Sequence, residues 1–498
     1  MNFLDLFENN FKVVLPEIYM MLALSFLLMY GVIFSTSLKY NLPVITRGVA
    51  WLSIQTLFIT LLLTLNNPID HLVIFHGTLV HDYFTTIVKI FLLSAALCCI
   101  AASFTYIRRE RLNAYEYLIL LLVATLGMML IVSSYDLISM YLAIEMQSLS
   151  LYVLAAFKKN SAFSTEAGLK YFILGAFSSG LILFGSAIVY GFTGSTNFED
   201  IARLCTGTYN SLDTIGTGVL IGLAFIASGL FFKIAAAPFH MWSPDVYEGA
   251  PTIVSMFFAI MPKIAILSLI LRLYLFSFYD FIESWQSLFI LCSFASMLIG
   301  AFGAFQQKKV KRLLAYSSIG HIGYMLIGIS TGTLEGIQGV MVYIAIYMVM
   351  SLNIWTVLLS LEFQGKPGRV TYLTDFISMS KINPLMAITI ALGMFSMAGV
   401  PPLAGFCAKM YVFFSAMEAS LYTLAVVGVL TSCVGAYYYI RLIKIMYFEK
   451  SIVWNLYAPL DREKSLLLAF TTLFIMFFFA YPSPLLLATH KMALVICL

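Results

Sequence analysis

The stretch Gly229–Thr252 reads GLFFKIAAAPFHMWSPDVYEGAPT, and the fold turns on how it is read. Its first residues continue an apolar run of membrane-helix character, yet Lys233 lies inside that run and Pro238 follows five residues later. A charged side chain at the centre of a bilayer costs at least about 2.5–3.5 kcal/mol on insertion scales. A proline removes a backbone donor and clashes with the preceding turn. Irregular backbone at membrane depth survives only where protein buries it or water reaches it. A lysine beside a helix break therefore points to a hydrated protein interior rather than a lipid-facing helix.

Composition agrees. Of 498 residues, 61% are hydrophobic and 10% charged, with a mean hydropathy of +0.95. That is too little charge to cover a soluble surface of this size. Apolar runs of about 18 residues or more recur from end to end, which predicts a polytopic all-α membrane protein. The formal charge of +4 gives no reason to expect nucleic acid as a partner. The seven cysteines stand singly or as the adjacent pair Cys98-Cys99, with no zinc or iron–sulfur spacing, and read as small buried hydrophobes. No dinucleotide or P-loop glycine pattern occurs, so no cofactor and no metal site is expected in the chain. The start, MNFLDLFENNFKVV, is not an Arg-rich transit peptide and lacks a clear cleavage site, so the first span is expected to be retained.

About fourteen spans are expected, near 18–36, 49–65, 84–107, 114–133, 137–157, 165–190, 214–237, 251–275, 285–305, 311–330, 336–361, 384–418, 421–447 and 465–488. Loop charge tests the parity. Loops after spans 1, 3, 5, 9, 11 and 13 carry basic residues such as Lys39, Arg108, Lys158, Lys309, Lys366 and Lys450. Loops after even spans carry acidic ones such as Asp70, Asp136, Glu199, Asp213, Asp280 and Glu335. By the positive-inside rule both termini then lie on the outer side. The loop after span 7 breaks the pattern, offering Asp245 and Glu248 where bases are due.

Spans 9, 10 and 11 begin about 171 to 174 residues after spans 4, 5 and 6. A five-span unit is odd, so consecutive units sit upside down, as in transporters built from inverted repeats with interrupted helices. The expected organisation is an N-terminal three-helix segment (1–112), a first five-helix repeat (113–278), a second, inverted one (279–450) and a C-terminal helix (451–498). Helix breaks are expected in span 7 at Pro238, in span 8 at Pro262 and in span 12 at Pro401 and Pro402.

Ionisable groups within the spans are candidate functional residues. Glu145 is mid-span in DLISMYLAIEMQSLSLYVLAAF, Lys263 is central in FFAIMPKIAILSLIL, and Lys409 follows the Pro401-Pro402 break. Lys170 is only a turn inside its span, where snorkelling to the interface competes. His321, in RLLAYSSIGHIGYMLIG, can shuttle protons. Lys89 and Arg272 read as interface anchors near span ends, Asp136 as a helix cap or an outer gate, and the many Phe and Tyr residues as packing or lipid-facing. Burial weakens a lysine's hold on its proton and a nearby carboxylate strengthens it, so a row of such groups bridged by water would form a proton relay. Moving a proton against the membrane potential costs about 2.3 kcal/mol per 100 mV, and nothing in this sequence supplies that energy.

The runs YLAIEMQSLSLYVLAAF, STEAGLKYFILGAFSSGLILFG, GLFFKIAAAPFHMWSPDVYEGAPT, RLLAYSSIGHIGYMLIG and MAGVPPLAGFCAKMYVF strongly resemble the chain 2 family of respiratory complex I, the proton-pumping NADH:ubiquinone oxidoreductase. The resemblance runs from Leu15-Pro16-Glu17 to span 13 and fits the longer, mitochondrially encoded type. It implies an antiporter-like core subunit with fourteen helices, breaks in helices 7 and 12, and a relay through Glu145, Lys170, Lys233, Lys263, His321 and Lys409. It implies that FMN, iron–sulfur clusters and ubiquinone sit on other subunits, and that the chain is a non-redox part of the translocase. Implied partners are a chain 4-like antiporter subunit, a small chain 4L-like subunit and membrane lipids such as cardiolipin. The implied location is the mitochondrial inner membrane, or a bacterial inner membrane. Two other readings stand beside it: a subunit of a multisubunit sodium/proton antiporter, and a structural membrane spacer.

Overall fold

The computed structural model describes residues 11–35, 46–67, 71–110, 115–206, 214–363, 369–449 and 456–497. Lys39, Asp70, Arg111, Asp213, Lys366 and Lys450 lie outside the described residues, as do the side chains of Arg108 and Arg109. Among the described residues twelve helices are long and apolar enough to cross a membrane, joined by shorter apolar helices at Pro384–Ala398 and Ser483–Cys497. The expected spans 1 to 6 are the helices Leu15–Ser35, Thr46–Leu65, Tyr83–Arg109, Glu116–Ser133, Leu137–Ala155 and Ala162–Thr193. Spans 8 to 11 are Thr252–Arg272, Ile282–Phe305, Val310–Ser330 and Leu334–Ser360, and span 13 is Tyr422–Phe448.

Span 8 is the axle of the molecule. Every residue from Thr252 to Arg272 is buried, as expected of a helix that is apolar all round. It packs against spans 3, 4, 7 and 11. Pro262 does not break it, which corrects the expectation. Proline frees the carbonyl four residues earlier, here Phe258, and the Tyr247 hydroxyl donates to that oxygen at 3.2 Å. A neighbouring side chain thus satisfies what the proline leaves open, and the helix runs on.

Spans 7 and 12 are interrupted. Span 7 stops at Ile234, Ala235 takes a left-handed φ of +61°, and a second helix starts at Trp242 and ends at Gly249. The Phe232 carbonyl at this end accepts from the Ala235 N–H at 3.0 Å and from Trp242 Nε1 at 2.9 Å. Span 12 is Pro384–Ala398 followed by Ala404–Glu418. Gly399, at φ +88°, closes the first half by donating to Phe395 and Ser396, the left-handed C-cap for which glycine is suited.

Span 14 departs from expectation. It is two helices, Arg462–Phe477 and Ser483–Cys497, because Pro482 and Pro484 cannot continue the first one. Both lie along span 11 in the opposite sense: Lys464 reaches the Leu359 carbonyl, Thr471 meets Asn353, and Gln338 donates to the Leu486 carbonyl.

The two ends of the bundle differ in chemistry. A hairpin of β1 (Leu72–Ile74) and β2 (Leu79–His81) covers the acidic end. There Asn197 Nδ2 donates to the Gly77 carbonyl, and Asp136 caps span 5 by accepting from the Ile138 N–H at 2.7 Å. At the basic end, the exceptional loop after span 7 explains itself. Asp245 pairs with Lys170 and Arg312, and Glu248 with Lys309 and Arg312. Glu110 pairs with Lys158 and Arg369, and Arg369 also with Glu362. The acids after span 7 are counter-ions to the surrounding bases, so the parity holds. Lys89 and Arg272 are corrected too. Neither reaches an interface: Lys89 is buried against Glu17 and Arg272 against Asp82.

Candidate functional site

A file of buried polar groups crosses the molecule at the depth of the two breaks. Lys233 occupies the last turn of its half-helix and is 6% exposed. Its Nζ donates to the Tyr152 hydroxyl at 3.2 Å and lies 5.6 Å from that ring's centroid. Tyr152 stands two turns beyond Glu145 on span 5, so both face the same neighbours. Glu145 is within electrostatic reach of Lys233 but forms no ion pair with it, and its Oε1 is buried with no hydrogen-bond partner. The residue as a whole is only half-buried. It is flanked along the helix by the exposed Leu142 and Leu149.

Lys263 lies at the centre. It is 3% exposed, its Nζ donates to the Tyr347 hydroxyl at 3.2 Å, and it sits over the rings of Tyr347 and Tyr247 at 5.2 and 6.0 Å. A cation over an aromatic face is held by the ring quadrupole without a counter-ion. Between Lys233 and Lys263 runs a wall of aromatics. Tyr152 meets Tyr171 edge-on at 4.8 Å, Tyr171 stacks on Trp242 at 4.7 Å, and Trp242 meets Tyr247 at 6.4 Å.

The second half continues from Tyr347. His321 packs 5.4 Å from that ring, its Nδ1 is 2.7 Å from the Tyr343 hydroxyl and its Nε2 is 3.2 Å from the Tyr439 hydroxyl. A neutral imidazole donates from one nitrogen and accepts at the other, so His321 joins the two hydroxyls whichever tautomer it holds. Lys409 follows, 7% exposed, with Nζ 5.1 Å from the Tyr324 ring centroid. Its Nζ donates to the Ala398 carbonyl at 2.8 Å, the carbonyl left unpaired where the first half of span 12 ends. That is the negative end of a half-helix dipole, a natural seat for a cation. Gly399 makes the approach possible, since a Cβ there would meet Lys409 Cδ at 3.1 Å and Nζ at 3.2 Å. A cavity of about 10 Å³, bounded by His321, Tyr324, Lys409, Thr431 and Tyr439, has room for about one water.

Of the residues singled out in the sequence, Lys263, His321 and Lys409 are brought together through tyrosines, and Lys233 lies beside Glu145 through Tyr152. Lys170 is apart from them. It is half-exposed at the basic end, held by Glu166 at 2.8 Å and Asp245 at 3.0 Å, in keeping with a snorkelling side chain. Pro238, Pro401 and Pro402 lie at real breaks and Pro262 does not. Tyr152, Tyr247, Tyr343, Tyr347 and Tyr439, expected only as packing or lipid-facing residues, are buried and hydrogen-bonded or stacked along the file. A usable signal was the Tyr343/Tyr347 pair, one turn apart on a helix without inner charges, because a buried hydroxyl needs a partner.

The family described as NADH:quinone oxidoreductase/Mrp antiporter, TM matches residues 134–435. NADH-ubiquinone oxidoreductase chain 2 of Marchantia polymorpha is 52% identical over 99% of this chain and 100% of its own length. NADH-quinone oxidoreductase subunit N of Parvibaculum lavamentivorans is 44% identical over 97% and 96%. A chain of Thermus thermophilus respiratory complex I, solved with bound aureothin, superposes with a TM-score of 0.80 at 28% identity, covering 95% of this chain and 99% of that one. A chain of the Mrp complex from Dietzia reaches 0.82 at 18% identity, covering 98% and 97%, a likeness of fold.

Proposed function

Because this chain belongs to the NADH:quinone oxidoreductase/Mrp antiporter family, as an antiporter-like membrane subunit of complex I, we propose that it carries protons along the buried file from Glu145 and Lys233 through Lys263 and His321 to Lys409. The observation that carries this reading is the run of four buried basic side chains, each touching a tyrosine hydroxyl or ring. A lysine held only by a hydroxyl or a carbonyl, without a bonded carboxylate, changes its hold on a proton when a charge or a water beside it moves. Tyrosines supply hydroxyl relays between stations, and a water in the cavity beside Lys409 would complete the second half. Lys170 is left out of the file.

In this reading the chain holds no redox centre: flavin, iron–sulfur clusters and quinone belong to other subunits, whose chemistry drives the relay. The two five-helix units, 113–278 and 279–450, each contribute one broken helix. Glu145 favours a neighbouring membrane-arm subunit against span 5, because a half-buried carboxylate flanked by Leu142 and Leu149 would otherwise face lipid. We place the chain in the mitochondrial inner membrane, with its basic end to the matrix and both termini on the opposite side.

The test is proton counting in the intact complex reconstituted into vesicles. Lys233→Ala, and separately Glu145→Ala, are expected to leave assembly and quinone reduction measurable while lowering protons moved per NADH. Full pumping by assembled Lys233→Ala complex would leave a structural spacer as the better account.

A further inference from the structure

A second polar feature, away from the file, opens at the basic end where the two halves of the molecule meet. A cavity of about 410 Å³ lies between the end of span 3, the loop after span 5, the start of span 8, the start of span 10 and the chain beyond span 11. That is the volume of a small-molecule site, far more than one water needs. Its charged lining is Lys158, Lys309, Lys311 and Arg369, with the carboxylates Glu110 and Glu248.

The two carboxylates are already occupied. Glu110 is held by Lys158 at 2.7 Å and Arg369 at 2.7 Å, and Glu248 by Lys309 and Arg312. Positive valence is left over. Among the described residues, Lys311 Nζ has one partner, the Ala250 carbonyl at 2.8 Å. Arg369 Nη1 is buried with no partner, while its guanidinium carbon lies over the Tyr106 ring, 3.6 Å from the centroid. Two long helices begin at the same cavity, at Thr252 and Val310, and bring the positive ends of their dipoles. On the rim stand Phe163, which is 70% exposed, and the apolar Leu358 and Val370.

We propose that this cavity binds a phosphate-bearing anion, of the class presented by an anionic phospholipid headgroup or by free phosphate. Lys311 supplies a point charge and Arg369 its one remaining donor, Nη1, since its Nε and Nη2 already bind Glu110 and Glu362. The apolar rim would receive the glycerol and upper acyl carbons of a lipid entering from the membrane's basic side. Since the lining comes from both halves, an occupant ties their basic ends together.

The experiment uses the purified, delipidated complex returned to phosphatidylcholine vesicles with increasing phosphatidylglycerol, and reads occupancy of the cavity by cryo-EM density and lipid retention by native mass spectrometry. Phosphate density between Lys311 and Arg369 is expected in the parent complex. Lys311→Gln is expected to weaken retention about fivefold, while Lys159→Gln, in the neighbouring loop and outside the lining, leaves it unchanged. Should Lys311→Gln fail to assemble, Arg369→Lys keeps the charge, removes the unpartnered Nη1 donor and is expected to lose retention in the same direction. Millimolar inorganic phosphate that fills the cavity and displaces the lipid identifies free phosphate as the ligand; no displacement identifies the lipid. An empty cavity with both probes, or occupancy equal in parent and variants, overturns the proposal. Occupancy is read independently of proton counting, so this site and the relay can fail separately.

Discussion

Lys233 depends on a residue that never touches it. Gly175, on span 6, faces the Tyr152 hydroxyl so closely that a Cβ at this position would lie 2.2 Å from the oxygen. Gly175→Ala therefore pushes the hydroxyl away from Lys233 and breaks a hydrogen bond to a cationic group, worth about 1.5–3 kcal/mol. Proton transfer by the intact complex is expected to fall about tenfold, with Tyr152→Phe changing in the same direction. Gly180→Ala, on the same helix with nothing within 4 Å, serves as the control and stays at the parental rate. Equal rates for the two alanine variants would remove Tyr152 from the relay. At this scale the sequence was half legible. Charges inside apolar runs announce themselves through their insertion cost, so Glu145, Lys233, Lys263, His321 and Lys409 could be found. The tyrosines could not be told from packing aromatics, because a phenol ring has the same hydropathy whether its hydroxyl meets lipid headgroups or a lysine.

At the scale of elements, prolines were read more strictly than the fold treats them. Pro238 and Pro401-Pro402 end helices, while Pro262 sits within an intact one because Tyr247 takes up the freed Phe258 carbonyl. That compensation comes from a residue 15 positions earlier on another element and has no local signature. The same holds for the charged ends of spans 3 and 8. Arg272 Nη2 lies 2.9 and 2.8 Å from the two Asp82 oxygens, and Asp82 also accepts from the Thr85 N–H at 3.1 Å. Burial pushes the Asp82 carboxyl upward, but Arg272 and the Thr85 N–H outweigh it and hold the group below its ordinary value of 3.8. Since the two residues are 190 positions apart, nothing local in the sequence shows that the Arg272 expected as an interface anchor has a buried partner. Asp82→Asn leaves the Arg272 guanidinium buried without its counter-charge, at a cost of about 3–5 kcal/mol. The expected result is a lowered melting temperature of the assembled complex. Replacing both residues by leucine is expected to recover part of the loss, since the penalty comes from the stranded charge. An unchanged melting temperature for Asp82→Asn would show that the pair does not brace these elements.

Across the whole molecule the basic end is a lattice of ion pairs linking loops from both halves, and its charge state decides how firmly they are joined. Loop-charge parity sorts the span ends into a basic and an acidic set, and the one misfit, Asp245 and Glu248, becomes intelligible only where the fold sets them against Lys170, Lys309 and Arg312. Glu110 is a hub of this lattice. Partial burial raises its carboxyl, while the Lys158 hydrogen bond and the Arg369 charge bring it down, leaving it below its ordinary value of 4.5. A depressed carboxyl stabilises the folded state fully above its unfolded value, and that contribution is lost as pH falls through the lower folded value. Acidifying the complex from pH 6 to below about 4.5 is therefore expected to loosen the basic end before the apolar core around span 8. Hydrogen exchange resolves this: amides at 156–161 and 308–312 should gain exchange over that window, while those of Thr252–Arg272 stay protected. Glu110→Gln removes the titrating hub, so its loops should exchange faster at neutral pH and change less on acidification. If the variant keeps the parental acid response, Glu110 is only a passive link in the lattice.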